Sequence, residues 1–441
     1  MPPLARSRRA RAVAGALWAV LLGPALLGVA CAAPSPAPAP TPACAAYVRY
    51  GDLRGTTVTV REPAGADDLH ISGYEAFASC TGARILHEGH GALTAPNTPP
   101  DIGYVPDHAT LTSLVQQTGT IRPASSPAAA AIAQSFPPTV TAAAGVNGTL
   151  YGVPLDADVK SLVWYSPRLF TERGYRVPQT WDELLTLSAR IVADGGTPWC
   201  AGAYDGARTG AVLSDFLEDA VLRGGGADVF DQWVTHQIPA DAPPVRAALD
   251  RVGTILRNPT FVNGGIGSAA SIATTPVATA GRPILTTSCF LHRQAASYAT
   301  TWPAGTTVAP DGDVFAFLLP PLEAGGAPTA LVSGGFAVAF ADRREVNAFQ
   351  AYLASPEFAA ARTDPLPSPN TGSRPTSATG ALARLALDTL QDPRTVLRYD
   401  GSDLMPPAVG SGSLPAALTA WIGGTGTAET LAAVEASRPR S

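Results

Sequence analysis

The sequence predicts an α/β protein of two lobes, each a mostly parallel sheet flanked by helices. Three observations predict it. Segments with strand-like alternation take turns with segments of helical period, the pattern of a parallel sheet covered on both faces. About four hundred residues follow residue 43, more than a single core usually organises. The composition, 46% hydrophobic and 15% charged, is that of an ordinary globular chain. Ligands bind such sheets beyond the carboxyl ends of the strands, so strand ends are where functional residues are sought.

Residues 1–30 stand apart from the rest. Arg6, Arg8, Arg9 and Arg11 precede an apolar run from Ala12 to Ala30 that closes on small residues before Cys31. That is the layout of a secretion signal, and its end resembles a bacterial lipobox, in which the cysteine after cleavage carries lipid. Gly28 stands where the pattern has a branched residue, and an uncleaved apolar anchor is the other reading of the run. Arg11 and Ala12 follow the Arg8-Arg9 pair where twin-arginine export wants large apolar residues, so that route is set aside. Residues 31–43 read as a Pro/Ala-rich tether, extended over roughly 35 Å at ~3.1 Å per residue. Everything after residue 31 is therefore expected outside the cytoplasm. Removing the four leader arginines takes the formal charge from −5 to about −9, which argues against nucleic acid and anionic lipid as partners.

The body of the chain begins with a strand, Thr56 to Arg61, and a helix from Ser72 to Cys80 that Thr81-Gly82 ends. Ala83 to His87 and Asp101 to Val105 are the next strands, separated by a loop carrying His87 and His90 and by the Pro99-Pro100 break. Between Pro123 and Val140 the chain is so rich in Ala and Pro that no helix can be assigned. A short strand then ends at Tyr151-Gly152-Val153-Pro154, and a polar crossover through Asp156 and Asp158 leads to a strand from Ser161 to Tyr165. A short helix stops near Gly174, and Thr180 caps another whose first turn holds Asp182 and Glu183. Further on, Ala330 to Phe340 reads as a glycine-interrupted strand, and Arg344 to Leu353 as a helix followed by Ser355-Pro356-Glu357.

Three of these runs together carry a family resemblance: Gly-x-Leu-Tyr-Gly-Val-Pro from Gly148, the Val163-Trp164-Tyr165 strand with Gly174 closing the next helix, and Pro-x-Thr-Trp-Asp-Glu-Leu-Leu from Pro178. They resemble the lobe crossover of the extracellular solute-binding proteins of ABC importers, the sugar-type family 1. The resemblance implies a periplasmic-binding-protein-like fold with a hinge and a central ligand cleft, a first lobe of residues 44–155 and 318–365, and a second of 156–317 and 366–441. It implies a receptor on the outer face of the cell membrane, held by lipid on Cys31, that delivers a small solute to ABC permease transmembrane subunits. A monomer without cofactor or metal is expected. Five cysteines leave one over, Cys31, and the topology implied by the family favours Cys44 with Cys80 and Cys200 with Cys289 among three pairings.

Carried onto this chain, the family's ligand-facing positions are Glu62, Asp67 and Asp68 after the first strand, Tyr104 and Asp107 after the third, and Asp156 and Asp158 in the crossover. Trp199, Tyr204, Trp233 and Trp302 are the aromatics of the second lobe, and Gly334 and Gly335 would bring backbone to the cleft. A sugar asks for such types, because its C–H face stacks on an aromatic plane while its hydroxyls pair with carboxylates. Trp164 and Trp181 read as core, Asp156 and Asp158 equally as turn residues, and Glu218 and Asp219 as a solvated face or a local pair with Arg223. Lys160, the only lysine, could pair with Asp156 or Asp158.

Enzyme signatures are missing: no Gly-x-Ser-x-Gly elbow, phosphate loop or His-Glu-x-x-His occurs. A glycosidase pair cannot be read among 35 acidic residues, which keeps a carbohydrate-acting envelope enzyme as an alternative. The run Gly196 to Cys200, with Asp215 to Asp219 and Leu222-Arg223 after it, resembles the branch of α-glucoside receptors and suggests a glucose-containing di- or oligosaccharide. The alternatives are a polar non-sugar such as a glycerol phosphodiester or osmolyte, for which Arg208 and Arg293 are the nearest cations, and a sensor for a membrane partner.

Overall fold

The computed structural model describes residues 42–62, 73–94, 98–263, 267–362, 366–373 and 380–439. The leader, Cys31, most of the tether, Asp67 and Asp68 lie outside them. Thirteen strands are present among the described residues: β1 (Thr57–Glu62), β2 (Arg84–His90), β3 (Ile102–Val105), β4 (Gly145–Val146), β5 (Thr149–Leu150), β6 (Gly152–Pro154), β7 (Asp158–Val159), β8 (Leu162–Tyr165), β9 (Leu291–Gln294), β10 (Phe315–Leu318), β11 (Thr329–Ser333), β12 (Phe336–Ala339) and β13 (Val396–Tyr399).

They form one five-stranded sheet, β2-β1-β3-β12-β6, and two three-stranded sheets, β10-β8-β9 and β13-β11-β7, beside the small β4-β5 pair. In the large sheet β1 runs parallel to β2 and β3, while β12 runs antiparallel to β3 and β6. The sheets are thus mixed. Strands joined through a helix come back parallel, whereas β12 enters from the other end after crossing from β11.

Local signals hold where the chain stops its own elements. Gly82, at φ +79°, ends the Tyr74–Thr81 helix and donates its amide to Ala78. Thr180 Oγ1 accepts the Glu183 amide at 3.2 Å, and Glu183 reaches back to the Gln179 amide at 2.7 Å, at the start of the Trp181–Ala193 helix. Ser355 caps Pro356–Ala361 in the same way. Elsewhere the structure differs. The two histidines expected in a loop belong to β2, where His87 pairs with Val60 and His90 with Glu62. The run from Ala330 to Phe340 is two strands in two sheets, broken at Gly334-Gly335. The Ala/Pro-rich stretch holds two helices, Ser126–Ser135 and Pro138–Ala143, whose buried contacts rest on few side chains such as Ile132 and Val140.

One core lies under the large sheet, with Val58, Val60, Phe77, Phe349 and Tyr352 at its centre. Another is helical and packs Trp181, Trp199, Phe216, Trp233 and Trp421. A third joins the sheets, bringing Val105 and Val338 of the large sheet together with Trp164 and Val332 of the small ones. Disulfides tie Cys44 to Cys80 and Cys200 to Cys289, with Cα atoms 5.2 and 5.6 Å apart.

Candidate functional site

The crossover 155–158 and the break 333–335 run side by side and knit the sheets together. Leu155 donates its amide to Gly335 O at 2.9 Å, and Gly335 donates its own to Asp156 Oδ1 at 3.0 Å. A Cβ on Gly334 would stand 2.1 Å from Asp156 O, and one on Gly335 2.2 Å from the Tyr104 hydroxyl, so the close approach needs glycine at both places. Tyr104 donates to Asp156 Oδ2 at 3.3 Å, and Tyr399 donates to Gly334 O at 2.7 Å. Burial, aided by nearby Asp charges, pushes both phenols far above the ordinary tyrosine value and keeps them as donors.

Beside this crossing lies a cavity of about 440 Å³. Its walls include Asp158 and Lys160 from β7 and the residues after it, Gln294 from the end of β9, Ser297, Tyr298 and Ser333, with Asp205 and Arg208 also lining it. Asp158 Oδ1 accepts the Ser297 amide at 3.0 Å, but burial still raises its carboxyl to about 6.

Beneath the wall is a buried ionic ladder. Lys160 Nζ meets Asp215 Oδ1 at 2.9 Å and also bonds the Asp400 carboxylate. Burial alone would make the ammonium less basic; the Asp215 and Asp400 charges overcome it and hold Lys160 well above its ordinary value. Arg293 bonds Asp215 at 3.3 Å and Asp219 at 2.5 Å, and Arg223 bonds Asp219 at 2.6 Å. Against burial, the two guanidinium groups depress the Asp219 carboxyl. Glu218 accepts the Gly401 and Ser402 amides at 2.7 and 2.9 Å, and its carboxyl is raised by burial and then by Asp400 and Asp215. The helix face expected in solvent is therefore interior: Glu218 and Asp219 are fully buried, although the local Asp219–Arg223 pair exists. Lys160 turns to Asp215 and Asp400 because Asp156 is held by Gly335 and Tyr104, and Asp158 by Ser297.

The residues singled out in the sequence are placed as follows. Asp156, Tyr104, Gly334 and Gly335 meet at the crossing, and Asp158 lines the cavity. Asp107 caps the His108–Thr118 helix through the Thr110 amide at 2.7 Å, and Glu62 is buried at the end of β1. Tyr204 is half exposed, next to the rim residue Asp205. Trp199 is 1% exposed and donates its indole to Ser188 Oγ at 3.0 Å; Trp233 is equally buried in the helical core. Trp302 packs between Trp164 and Tyr298, and of these rings only Tyr298 lines the cavity. Arg293 is consumed by two carboxylates, whereas Arg208 is exposed and paired with Asp205 at 2.8 Å. Sequence reasoning missed Gln294, Asp215, Asp400 and Tyr399. The signals for them were the family-like run from Asp215 to Asp219 and Lys160, a lone lysine in an arginine-rich chain whose partners lie 55 residues away at the nearest.

The model of the bacterial extracellular solute-binding protein family matches residues 86–360. The chain belongs to that family. As a solute-binding protein it is a receptor and not an enzyme, and its relatives are named for binding. The osmoprotective compounds-binding protein GgtB of Synechocystis is 34% identical over 82% of this chain and 87% of its own. The α-glucosides-binding periplasmic protein AglE of Rhizobium meliloti is 31% identical over 87% of each. Among solved structures, the solute receptor AcbH aligns with a TM-score of 0.69 at 15% identity, covering 86% of this chain and 98% of its own. RafE of Streptococcus pneumoniae aligns at 0.67 and 17%, covering 87% and 97%. At those identities the structures speak for the two-lobe fold alone.

Proposed function

We propose that this solute-binding protein is held outside the cell membrane by lipid on Cys31, binds a small uncharged α-glucoside between its lobes, and delivers it to an ABC permease. The lobes are taken as 44–155 with 318–365, and 156–317 with 366–441. One observation carries the choice of an uncharged ligand: the buried cations Lys160, Arg223 and Arg293 are already spent on Asp215, Asp219 and Asp400, while Asp158 keeps a carboxyl on the cavity wall. A phosphodiester would find no free buried cation there, and a hydroxyl finds an acceptor. The names of AglE and GgtB support an α-glucoside and an osmoprotective solute respectively, and a small neutral α-glucoside satisfies both.

Tyr104, Asp107, Glu62, Gly334 and Gly335 would approach the solute from one lobe, and Asp158 and Tyr204 from the other. Closure would follow from a ligand that touches both and so shifts the population toward the closed form. The test is a thermal-shift screen of the exported, disulfide-bonded chain against trehalose, sucrose, maltose, glycerol phosphodiesters and betaine-type osmolytes. A neutral glucoside at a hundred times its Kd should add ~2.7 kcal/mol of stability. A response to phosphodiesters alone would overturn the ligand class.

A further inference from the structure

Gln294 ends β9 on the cavity wall with its two side-chain ends in different states. The residue is only 7% exposed. Its Oε1 accepts the Ala295 amide at 2.8 Å, and that bond settles which end of the carboxamide is oxygen. Nε2, with both its hydrogens, is turned the other way, and among the described residues no acceptor meets it. Backbone pairing to β8, with Gln294 opposite Leu162, and the anchoring of the preceding Arg293 on Asp215 and Asp219 hold the strand end in place. A donor fixed in place on a cavity wall and not engaged by the protein is open to a ligand oxygen.

Asp158 on the same wall is the complement. Its Oδ1 is taken by the Ser297 amide at 3.0 Å and the Ser297 side chain also bonds the carboxylate, which keeps further acceptor capacity on the cavity wall. Lys160 also lines the cavity and spends two of its three hydrogens on Asp215 and Asp400.

We propose that Gln294 is a specificity-determining ligand residue, which together with Asp158 reads adjacent hydroxyls of the solute: Nε2 donates to one oxygen, the carboxylate accepts the proton of the next, and Lys160 has one hydrogen left for a further oxygen. Neighbouring hydroxyls present donors and acceptors in alternation, which this wall matches. A carboxylate or phosphate would face the Asp158 carboxyl, so the wall selects against anions. The inference rests on the proposal that the cavity takes a neutral glucoside.

The experiment is calorimetric titration of the exported, disulfide-bonded protein with trehalose, sucrose and maltose, for wild type, Gln294→Glu and Gln294→Met, with the unliganded Tm recorded for each. Gln294→Glu keeps the oxygen that accepts the Ala295 amide and replaces only the donor; Gln294→Met is close in volume and has neither. Both are expected to weaken the bound glucoside about tenfold or more while leaving the unliganded Tm of Gln294→Glu within a few degrees of wild type. Should Gln294→Glu fail to fold, Gln294→Met carries the same expectation. Unchanged affinity in a folded variant overturns the role of Gln294 and leaves the receptor reading intact. Affinity lost only in step with Tm in both variants makes Gln294 a packing residue and also overturns it. A wild type that binds no neutral glucoside removes the proposed ligand class and this inference with it.

Discussion

Asp158 is the residue at which stability and the proposed binding role pull in opposite directions. Its buried carboxyl titrates near 6 in the folded protein, above the ordinary aspartate value of 3.8. A folded-state pKa raised in this way gives stability that is complete below pH ~4 and lost as pH rises through 6, because the folded state then holds an ill-solvated charge. Asp158→Asn is therefore expected to raise the unliganded stability at pH 7.5 by roughly 2 kcal/mol and to change it little at pH 4, as read by urea midpoints at the two values. Equal effects at both would disprove the assignment. The three tryptophans named from the sequence teach a different lesson at this scale. An indole suits a sugar face and a core equally well by composition. Only the contacts tell them apart: the Trp199 indole on Ser188, Trp233 against Phe230, and Trp302 against Trp164.

The Ala211–Val234 helix carries Asp215, Glu218 and Asp219 toward the interior, a placement that its own sequence does not announce. Carboxylates three and four apart usually mark a solvated stripe. Here their partners come from elsewhere in the chain: Arg293 on β9, Lys160 after β7, and the amides of Gly401 and Ser402. Such long-range pairing is what a single sequence hides, whereas the cap at Thr180 and the stops at Gly82 and Gly174 act within one turn and were legible. The ladder's energetics follow from its burial. Asp219→Ala would leave Arg223 without its carboxylate and Arg293 with Asp215 alone inside the protein, and we expect a loss of about 3–5 kcal/mol in chemical denaturation. Glu172→Ala, which removes the exposed 4.0 Å pair with Arg168, should cost less than about 1 kcal/mol. Comparable losses for the two would refute the ladder's role.

For the whole molecule, the alternation of strand and helix made the class legible, and the glycine break at 334–335 hid a change of sheet because one apolar run looks like one strand. The anchor is a prediction at this scale, since it concerns where the protein resides. Cys31→Ala is expected to abolish incorporation of a fatty-acid label and to leave glucoside affinity unchanged; persistent labelling would place the anchor elsewhere. The described residues contain no helix long and apolar enough to cross a membrane. A last consequence concerns handling. Lys160 is the only lysine of the chain, and its ammonium is shielded and kept protonated by Asp215 and Asp400. Succinimidyl esters are acylating agents attacked by unprotonated amines, so the folded protein offers them no reactive lysine. Biosensor coupling and dye conjugation through amines must go through the chain's α-amino group, and an introduced cysteine or a tag is the better route to an immobilised receptor with its cavity open.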